Sequence, residues 1–421
     1  MDASAISPQP RQPVVFGVFR DGDNNLDAAQ ERNVTDFVAT TEHDRALKVV
    51  AEDTTALPRA PFGLGDLRTE RSIIQDGTQR IIRITPPADM SDRETLAGFI
   101  ESTLEAKAKD PAFAAAPVWI DLVDHGGGDG GGLEADSSGG FMSIEDIAGA
   151  NSDGRARFHA AHPNVDDRVT GVVANQCLMA SLGFADALSR AGVRYLCASP
   201  ETMLTPGVPS AQVAEDLTSA RDWPHAIVDD TMRVRYGAEG YHPAAAFDVF
   251  DLDPHKMADV RSAVADLFAS VEALGKDGAA ADALHDVRAD IASVKGMARF
   301  GHSAGMPWHA DRPAAAVFDK IAGDERLPDA VRTAARRASD AVGSIVLAHA
   351  ESQHFGPFGS SYADAAGPTA HLPTTKKSYD AWADAGVSET HNGFYDAVDG
   401  RAFARAIGAY DRAQDDAGET A

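Results

Sequence analysis

The sequence predicts an α/β fold in which a mostly parallel central sheet is flanked by helices. Three short segments, at 117–123, 169–174 and 193–198, are almost continuously apolar. Strands of that kind are typical of parallel sheets that are covered on both faces. Between the last two lies the segment 177–192, which has a helical pattern that ends at Gly192. The order of strand, helix and strand indicates parallel pairing with crossover helices.

Earlier segments predict the rest of the sheet and its first helices. An apolar run at 13–19 predicts a buried first strand, and 46–53 predicts a second. Residues 71–85 predict a hairpin, because two β-branched arms flank an Asp-Gly turn. Helices are predicted over 26–43, from loosely helical apolar spacing, and over 93–108, from an amphipathic stripe.

The pattern changes after about residue 211, where long alanine-rich stretches begin. These stretches predict helices at 212–236, 254–275, 279–297 and 328–351, with one strand at 244–252. The length prior of roughly 150 residues per domain allows two or three units. We expect a core unit over 1–210 and a helix-rich C-terminal region over 211–421, which packs on the core and contributes further strands.

The charge of the chain restricts its partners. The 64 acidic and 38 basic residues give a formal charge of −26. That field keeps the protein soluble and repels phosphate backbones and anionic membranes, so neither nucleic acid nor membrane is an expected partner. The N-terminus lacks a basic region followed by an apolar stretch, and no run of about 18 apolar residues occurs. The expected localisation is cytoplasmic.

Two motifs stand at the carboxyl ends of predicted strands, where parallel sheets gather their chemistry. His125 leaves the strand at 117–123 into a run of glycines, which lets a substrate backbone approach closely. Cys177 follows the strand at 169–174 at the start of a predicted helix, whose N-terminus favours a thiolate. Taken alone, the histidine could as readily be a bystander in a tight loop, and the cysteine could as readily be an inert buried thiol. Together they predict a nucleophile and its base.

Several further motifs occur in the order that is typical of the clostripain family of cysteine peptidases. The motifs are RDGDNNLD at 20–27, SDRETLAGFI at 91–100, LVDHGGG at 122–128, NQCLMAS at 175–181, SPETMLTPGVP at 199–209 and AAGPTAHLP at 365–373. The chain therefore resembles that family over most of its length. The resemblance implies a caspase-like fold and a cysteine endopeptidase that acts on a protein or peptide substrate.

The resemblance also implies roles for individual residues. Cys177 would attack the scissile carbonyl, and His125 would protonate the leaving amine and then activate water. The backbone N–H groups of Gly126 and Cys177 would hold the oxyanion. Removing one such donor typically costs on the order of 10²–10³ in rate.

One position departs from the family pattern. Members that cleave after arginine or lysine carry an aspartate two residues ahead of the cysteine, where this chain has Asn175. An amide cannot neutralise a guanidinium, so we expect weaker basic specificity, with Asp124 or Glu201 as candidates for a substitute charge. Family members are processed between the two catalytic motifs. The basic residues of that segment, which we expect to be a Gly/Asp-rich loop, are Arg155, Arg157 and Arg168. Asn175 also leaves open an alternative function, a catalytically weak scaffold that binds a peptide or a regulatory partner.

The acidic loop after the first strand resembles the start of a calcium loop. Its D-x-D-x-N pattern fails as an EF-hand, because Leu26 stands at the glycine position and Arg32 at the bidentate acid. We predict instead a turn whose side chains cap the following helix and shape the floor of the cleft. No cofactor and no metal ligand set are expected. Some members of the family respond to calcium, so the resemblance leaves a calcium response open.

Only two cysteines occur, which is too few for a disulfide framework. Cys197 ends the strand at 193–198 and is expected to be buried. A disulfide with Cys177 is the alternative, because adjacent strand ends can approach to disulfide distance.

Overall fold

The computed structural model of the chain describes residues 11–27, 31–57, 66–135, 138–234, 244–276, 280–297, 310–352, 365–376, 378 and 392–408. Its main element is a nine-stranded sheet. The strands of this sheet are β1 (Val14–Asp21), β2 (Leu47–Leu57), β3 (Asp66–Gln75), β4 (Thr78–Thr85), β5 (Val118–Val123), β8 (Gly171–Asn175), β9 (Tyr195–Ala198), β10 (Ala246–Asp251) and β12 (Val346–Glu351). Two small sheets pair β6 (Gly132–Ala135) with β7 (Gly140–Met142) and β11 (Asp311–Pro313) with β13 (Thr369–His371).

The strand order across the large sheet is β12-β10-β9-β8-β5-β1-β2-β3-β4. The five strands from β9 to β2 are parallel, and antiparallel strands complete both edges. This arrangement confirms the predicted α/β fold with a mostly parallel central sheet. β10 pairs with β9, so the sheet continues across residue 210. The proposed division into units at that residue stays a prediction.

Helices cover the sheet. They are α1 (Arg32–His43), α2 (Arg93–Ala108), α3 (Ile144–Ala161), α4 (Leu182–Arg190), α5 (Ser210–Ser219), α6 (Trp223–Arg233), α7 (Pro254–Lys276), α8 (Ala281–Ser293), α9 (Ala314–Gly323), α10 (Asp329–Ser344), α11 (Gly393–Ala397) and α12 (Gly400–Ala406). Within the described ranges, none of them has the length and hydrophobicity of a membrane-crossing helix.

The first strand is apolar from Val14 to Phe19, and its position in the fold explains why. All eight residues of β1 are buried, and successive side chains enter the cores on opposite faces of the sheet. Phe19 meets Phe99 of α2 on one face, with ring centroids 5.4 Å apart. Phe16 meets Phe37 of α1 on the other, with centroids 5.6 Å apart. Because both faces are covered, the run Val14–Phe19 has no polar alternation, and polar residues enter β1 only at its carboxyl end, with Arg20 and Asp21.

Several predicted helix boundaries are corrected by the structure. Of the helix predicted over 26–43, the structure shows a helix from Arg32 to His43, and residues 28–30 lie outside the described residues. The stretch predicted as one helix over 212–236 contains two helices, α5 and α6, which are separated by the extended Ala220 and a turn, and residues 235–236 lie outside the described residues. The helix predicted over 328–351 ends at Ser344, because the next residues form β12 and pair with β10. Edge pairing with the sheet overrides the helical propensity of this alanine-rich segment.

The Gly/Asp-rich segment between the two motifs is also corrected. It contains α3, in which Arg155 and Arg157 lie, and only Arg168 follows that helix. Gly154 brings α3 close to α2, since a Cβ at this position would lie 2.5 Å from the carbonyl oxygen of Ala97. Glycine is a poor helix former by itself, so tertiary packing explains a helix that the local sequence disfavours.

Substituting one glycine in a strand and one in a helix tests how closely the described core is packed. A Cβ at Gly171 of β8 would lie 2.3 Å from the buried indole of Trp119, whereas one at Gly98 of α2 meets nothing within 4 Å. We expect Gly171→Ala to lower the free energy of unfolding by about 1–3 kcal/mol through overpacking. Gly98→Ala should leave it unchanged or raise it by up to about 1 kcal/mol. Urea denaturation measures both, and equal effects would contradict the packing described.

Candidate active site

The site forms where β5 and β8 end. The two strands are parallel neighbours, and Val123 pairs with Asn175 at their carboxyl ends. His125 and Cys177 each follow that pair by the same number of residues, so the strands bring them to one edge. Both residues line one cavity of about 230 Å³. The structure therefore brings together the predicted base and nucleophile, whose catalytic roles stay predictions.

The cavity walls come from the ends of four strands that are adjacent in the sheet. Leu26 follows β1, and the remaining wall residues end or follow β5, β8 and β9. The described residues that line it are Leu26, Asp124, His125, Asn175, Gln176, Cys177, Thr202, Met203, Leu204, Thr205 and Gly207. Parallel strands end on one edge of the sheet, which is why these loops meet.

Cys177 lies in the turn between β8 and α4. Leu178 has a φ of +67°, and α4 begins only at Leu182, with Ser181 as its N-cap. The helix therefore starts after the cysteine turn, and the field of its N-terminus falls off within the first turn. The expectation that Cys177 begins a helix was wrong. The capping serine decides the boundary, because its hydroxyl accepts the N–H of Phe184 at 3.1 Å.

The thiol is close to the backbone of the loop after β9. Its sulfur accepts the N–H of Met203 at 3.3 Å and lies 3.5 Å from the carbonyl oxygen of the same residue. Burial raises the pKa of the Cys177 thiol to about 11, and the nearby carboxyls of Glu201 and Asp124 add to this rise. The Met203 N–H opposes it only in part. The resting thiol is therefore protonated at neutral pH, contrary to the thiolate that the sequence predicted.

A late segment of the chain supports the cysteine turn. The N–H of Thr369 donates to the carbonyl oxygen of Ala180 at 2.8 Å, and Thr369 forms a parallel bridge with Ser181. This contact accounts for the AAGPTAHLP motif, whose strand β13 lies beside the turn that carries Cys177. The motif thus has a supporting role, and it contributes no residue to the described cavity wall.

His125 is held through both its backbone and its ring. Its carbonyl oxygen accepts the side-chain amide of Gln176 at 2.7 Å and the N–H of Leu133 at 3.2 Å. Its imidazole Nε2 lies 2.9 Å from Oδ1 of Asn25. Gln176 directly precedes Cys177, so this amide ties the backbone of the histidine to the cysteine turn.

Gly126 allows the two loops to touch. A Cβ here would lie 2.4 Å from the carbonyl oxygen of Cys177 and 3.1 Å from its nitrogen, so only glycine fits. Gly126 also bridges Gly132 in antiparallel fashion, and that bridge uses the N–H groups of Gly127 and Leu133. Neither hydrogen bond of this bridge involves the N–H of Gly126. The geometry is compatible with the predicted oxyanion role of Gly126 and Cys177, which stays a prediction.

Asn175 is bonded to the loop that follows β9. Its Oδ1 accepts the N–H of Val208 at 2.8 Å, and its amide donates to the carbonyl oxygen of Val208 at 3.2 Å and to Oγ of Ser210 at 3.3 Å. The side chain is buried, and Gly207 lies directly over it. Asn175 therefore shapes the cavity wall through this loop. Its predicted contact with substrate stays a prediction.

The two candidate acids occupy different places. Asp124 lines the cavity, and its carboxylate accepts the side-chain amide of Asn24 at 2.6 Å and the N–H of Glu134. Burial and the neighbouring Asp21 hold its pKa well above the ordinary range. Glu201 is fully buried and accepts the N–H of Thr202 at 2.7 Å, and it is absent from the described cavity wall. Of the two, only Asp124 is among the residues that line the described cavity, and contact with a substrate stays a prediction for both.

The acidic loop has partners within the chain. Asp21 accepts the N–H of Asp23 at 2.8 Å, and Asp27 binds the buried guanidinium of Arg20. Among the described residues, no group of three or more histidines, cysteines or acids is arranged to hold a metal ion. The loop therefore forms a turn beside the cleft, as predicted, but its side chains do not cap α1, which has no side-chain cap.

Both cysteines are free thiols. Cys197 is fully buried in β9, where burial raises its pKa far above the ordinary range. The simple expectation of a buried, unreactive thiol is therefore met, and the alternative disulfide with Cys177 is not formed.

Two side chains of this site, Asn25 and Gln176, were not among the residues predicted from the sequence. A signal for Asn25 was present, since the RDGDNNLD motif follows β1 and β1 neighbours β5. Arg20 pairs with Val123 in that register, which brings the motif to the edge that carries His125. Gln176 stood inside the NQCLMAS motif, but only the fold shows that its amide reaches the histidine backbone.

The protonation state of the thiol can be tested by alkylation. Because iodoacetamide reacts with the thiolate, the rate at Cys177 should keep rising with pH toward the pKa of about 11. A plateau below neutral pH would instead show a preformed thiolate–imidazolium pair. Cys177→Ala supplies the background rate from the buried Cys197.

Comparison with known proteins agrees on the fold. No family model and no curated protein matches this sequence. A secreted C11 cysteine protease from Bacteroides thetaiotaomicron, solved with an irreversible peptide inhibitor, has a TM-score of 0.63 at 13% identity, covering 92% of this chain and 99% of that one. An inactive zymogen C11 protease from Parabacteroides distasonis has a TM-score of 0.61 at 15% identity, covering 93% and 99%.

A further structure of a secreted C11 cysteine protease from Bacteroides thetaiotaomicron, named iotapain, has a TM-score of 0.61 at 15% identity and covers 93% of this chain and all of that one. At such identities the likeness establishes the fold, and it extends over almost the whole length of each chain. The resemblance noted in the sequence motifs is thereby confirmed at the level of structure. The chain has the fold of the C11, or clostripain-family, cysteine proteases.

Proposed function

We propose that the protein is a cysteine endopeptidase in which Cys177 is the nucleophile and His125 is the general base and acid. The observation that carries the proposal is that both residues line one cavity at the ends of adjacent parallel strands. The irreversible peptide inhibitor named for one structural neighbour supports a peptide as the substrate.

The first step follows from the protonated thiol. A neutral thiol is a weak nucleophile, so His125 takes its proton as the sulfur attacks the scissile carbonyl carbon. The carbonyl π electrons move to oxygen, and the N–H groups of Gly126 and Cys177 are the donors that we assign to this oxyanion. When the tetrahedral intermediate collapses, the C–N bond breaks and His125 gives its proton to the leaving amine.

The second step releases the other half of the substrate. His125, again neutral, takes a proton from water as the water oxygen attacks the thioester carbon. Collapse of this intermediate breaks the C–S bond, yields the carboxylic acid, and returns the proton to the Cys177 sulfur. Proton transfer by a positioned side chain typically contributes 10²–10⁴-fold to such steps.

The raised pKa of Cys177 is the observation that favours the alternative function. A scaffold that binds a peptide or a regulatory partner needs no activated thiol, and buried carboxyls close to the sulfur work against the thiolate. The two functions differ in one measurable property, which is covalent reaction of Cys177 with a peptide-like electrophile.

Labelling with a peptidyl acyloxymethyl ketone separates them. We expect stoichiometric modification of Cys177 in the wild type and none in His125→Ala or Cys177→Ala. Peptide turnover in Cys177→Ala should fall by on the order of 10⁴–10⁶-fold. Its melting temperature should stay close to that of the wild type, because a thiol-to-methyl change in a cleft removes little packing. Binding of the probe's peptide without any labelling would support the scaffold.

The cavity wall bears on the residue that precedes the scissile bond. Asn175 is neutral and bonded to Val208 and Ser210, and Asp124 is the acid among the described wall residues. Burial holds the pKa of Asp124 well above its usual range, and its carboxyl group already accepts hydrogen bonds from the amide of Asn24 and the N–H of Glu134. We therefore propose that the cavity accepts an uncharged side chain and discriminates poorly in favour of arginine.

Matched substrates that carry arginine or citrulline before the scissile bond test this specificity. Citrulline keeps the shape of arginine and lacks its charge, so kcat/KM should be at least as high for citrulline. A preference of about tenfold for arginine corresponds to roughly 1.4 kcal/mol and would require an ionised acid in the wall. In that case Asp124→Asn would remove the preference if Asp124 is that acid.

A further inference from the structure

We propose that Asn25 is a positioning residue for His125, so that the site works as a Cys177–His125–Asn25 triad. The proposal deepens the peptidase function and rests on it. Its basis is the 2.9 Å contact between Oδ1 of Asn25 and Nε2 of His125. An amide oxygen only accepts, so this contact puts the hydrogen of the neutral imidazole on Nε2. Nδ1 is then the nitrogen that takes the proton of Cys177.

The loop that carries Asn25 is closed by a buried cation. Arg20 is fully buried, and its guanidinium binds Oδ1 of Asp27 at 3.1 Å from both terminal nitrogens and also pairs with Asp53 of β2. Thr55, also on β2, donates to Oδ1 of Asp27 at 3.2 Å. These bonds join the two ends of the RDGDNNLD motif, so the residues between them form a short loop attached to the sheet.

The loop is also fastened to the histidine strand. The side-chain amide of Asn24 donates to Asp124 at 2.6 Å and to the carbonyl oxygen of Glu134 at 3.0 Å. Asn24 immediately precedes Asn25, and Asp124 immediately precedes His125. Joining the two preceding residues brings the two following ones into contact. The buried Asp124 thereby sets the position of Asn25 by holding Asn24. Neither of the hydrogen bonds described above for its carboxyl group goes to the imidazole.

The chemical consequence is control of tautomer and ring orientation without added charge. Asn25 accepts a hydrogen bond from the neutral ring and from the imidazolium alike, and it never takes the proton itself. An orienting partner matters because a small displacement of a reacting group can cost on the order of 10²-fold in rate. Asn25 is exposed, so its removal should leave the core intact.

Three variants test the proposal. We expect Asn25→Ala to lower kcat by about 10–100-fold with KM within about twofold, since the bond orients the ring and does not hold the substrate. Asn25→Asp should restore part of kcat and move the acidic limb of the kcat/KM profile to higher pH, because a carboxylate favours the imidazolium. Asn164→Ala, an exposed asparagine in the turn after α3, is the matched control and should behave as the wild type.

A second readout does not depend on activity. Nitrogen chemical shifts of a labelled imidazole report which ring nitrogen carries the proton. We expect His125 to be the Nε2–H tautomer in the wild type and to lose that preference in Asn25→Ala. An unchanged tautomer in Asn25→Ala, or an unchanged kcat, would overturn the assignment. If the wild type hydrolyses no peptide, the proposed function fails, and the tautomer measurement still decides whether Asn25 positions His125.

Discussion

The parallel pairing of β5 with β8 is the constraint on which the site depends. Val123 opposite Asn175 sets where the two loops begin, and the residues that follow can then meet at one cavity. Gly126 makes that meeting possible, because any side chain there would strike the backbone of Cys177. A shift of this register by one residue would turn alternate side chains to the other face of the sheet and separate the pair.

Buried carboxyl groups are concentrated beneath the same cavity, and they affect how the site works. Burial raises the pKa of Asp21 to about 7, and the pKa values of Asp124 and the Cys177 thiol are raised by burial and by neighbouring acids. Such surroundings oppose a resting thiolate. The proposed mechanism therefore has the proton leave sulfur during attack, and the orientation of His125 becomes correspondingly important. That is the requirement that Asn25 would meet.

The sequence predicted most strands correctly because their apolar runs record burial on both faces, as β1 shows with Phe16 and Phe19. Its errors occur where tertiary contacts override local propensity. Gly154 permits the helix α3 to pack on α2. Pairing of β12 with β10 ends α10 at Ser344. The expected thiolate failed for a related reason, since tertiary burial and the nearby carboxyls of Glu201 and Asp124 raise the pKa of the Cys177 thiol.

By itself, the sequence determined the α/β class, the strand ends that carry His125 and Cys177, and the resemblance to clostripain-family peptidases. These rest on local patterns: apolar runs, glycines after a histidine, and ordered motifs. Only the tertiary structure decided the partners of the polar side chains. It joins Asn25 to His125, ties Asn175 to Val208 and buries Glu201 away from the cavity. A hydrogen bond between residues far apart in sequence depends on distances that only the assembled sheet defines.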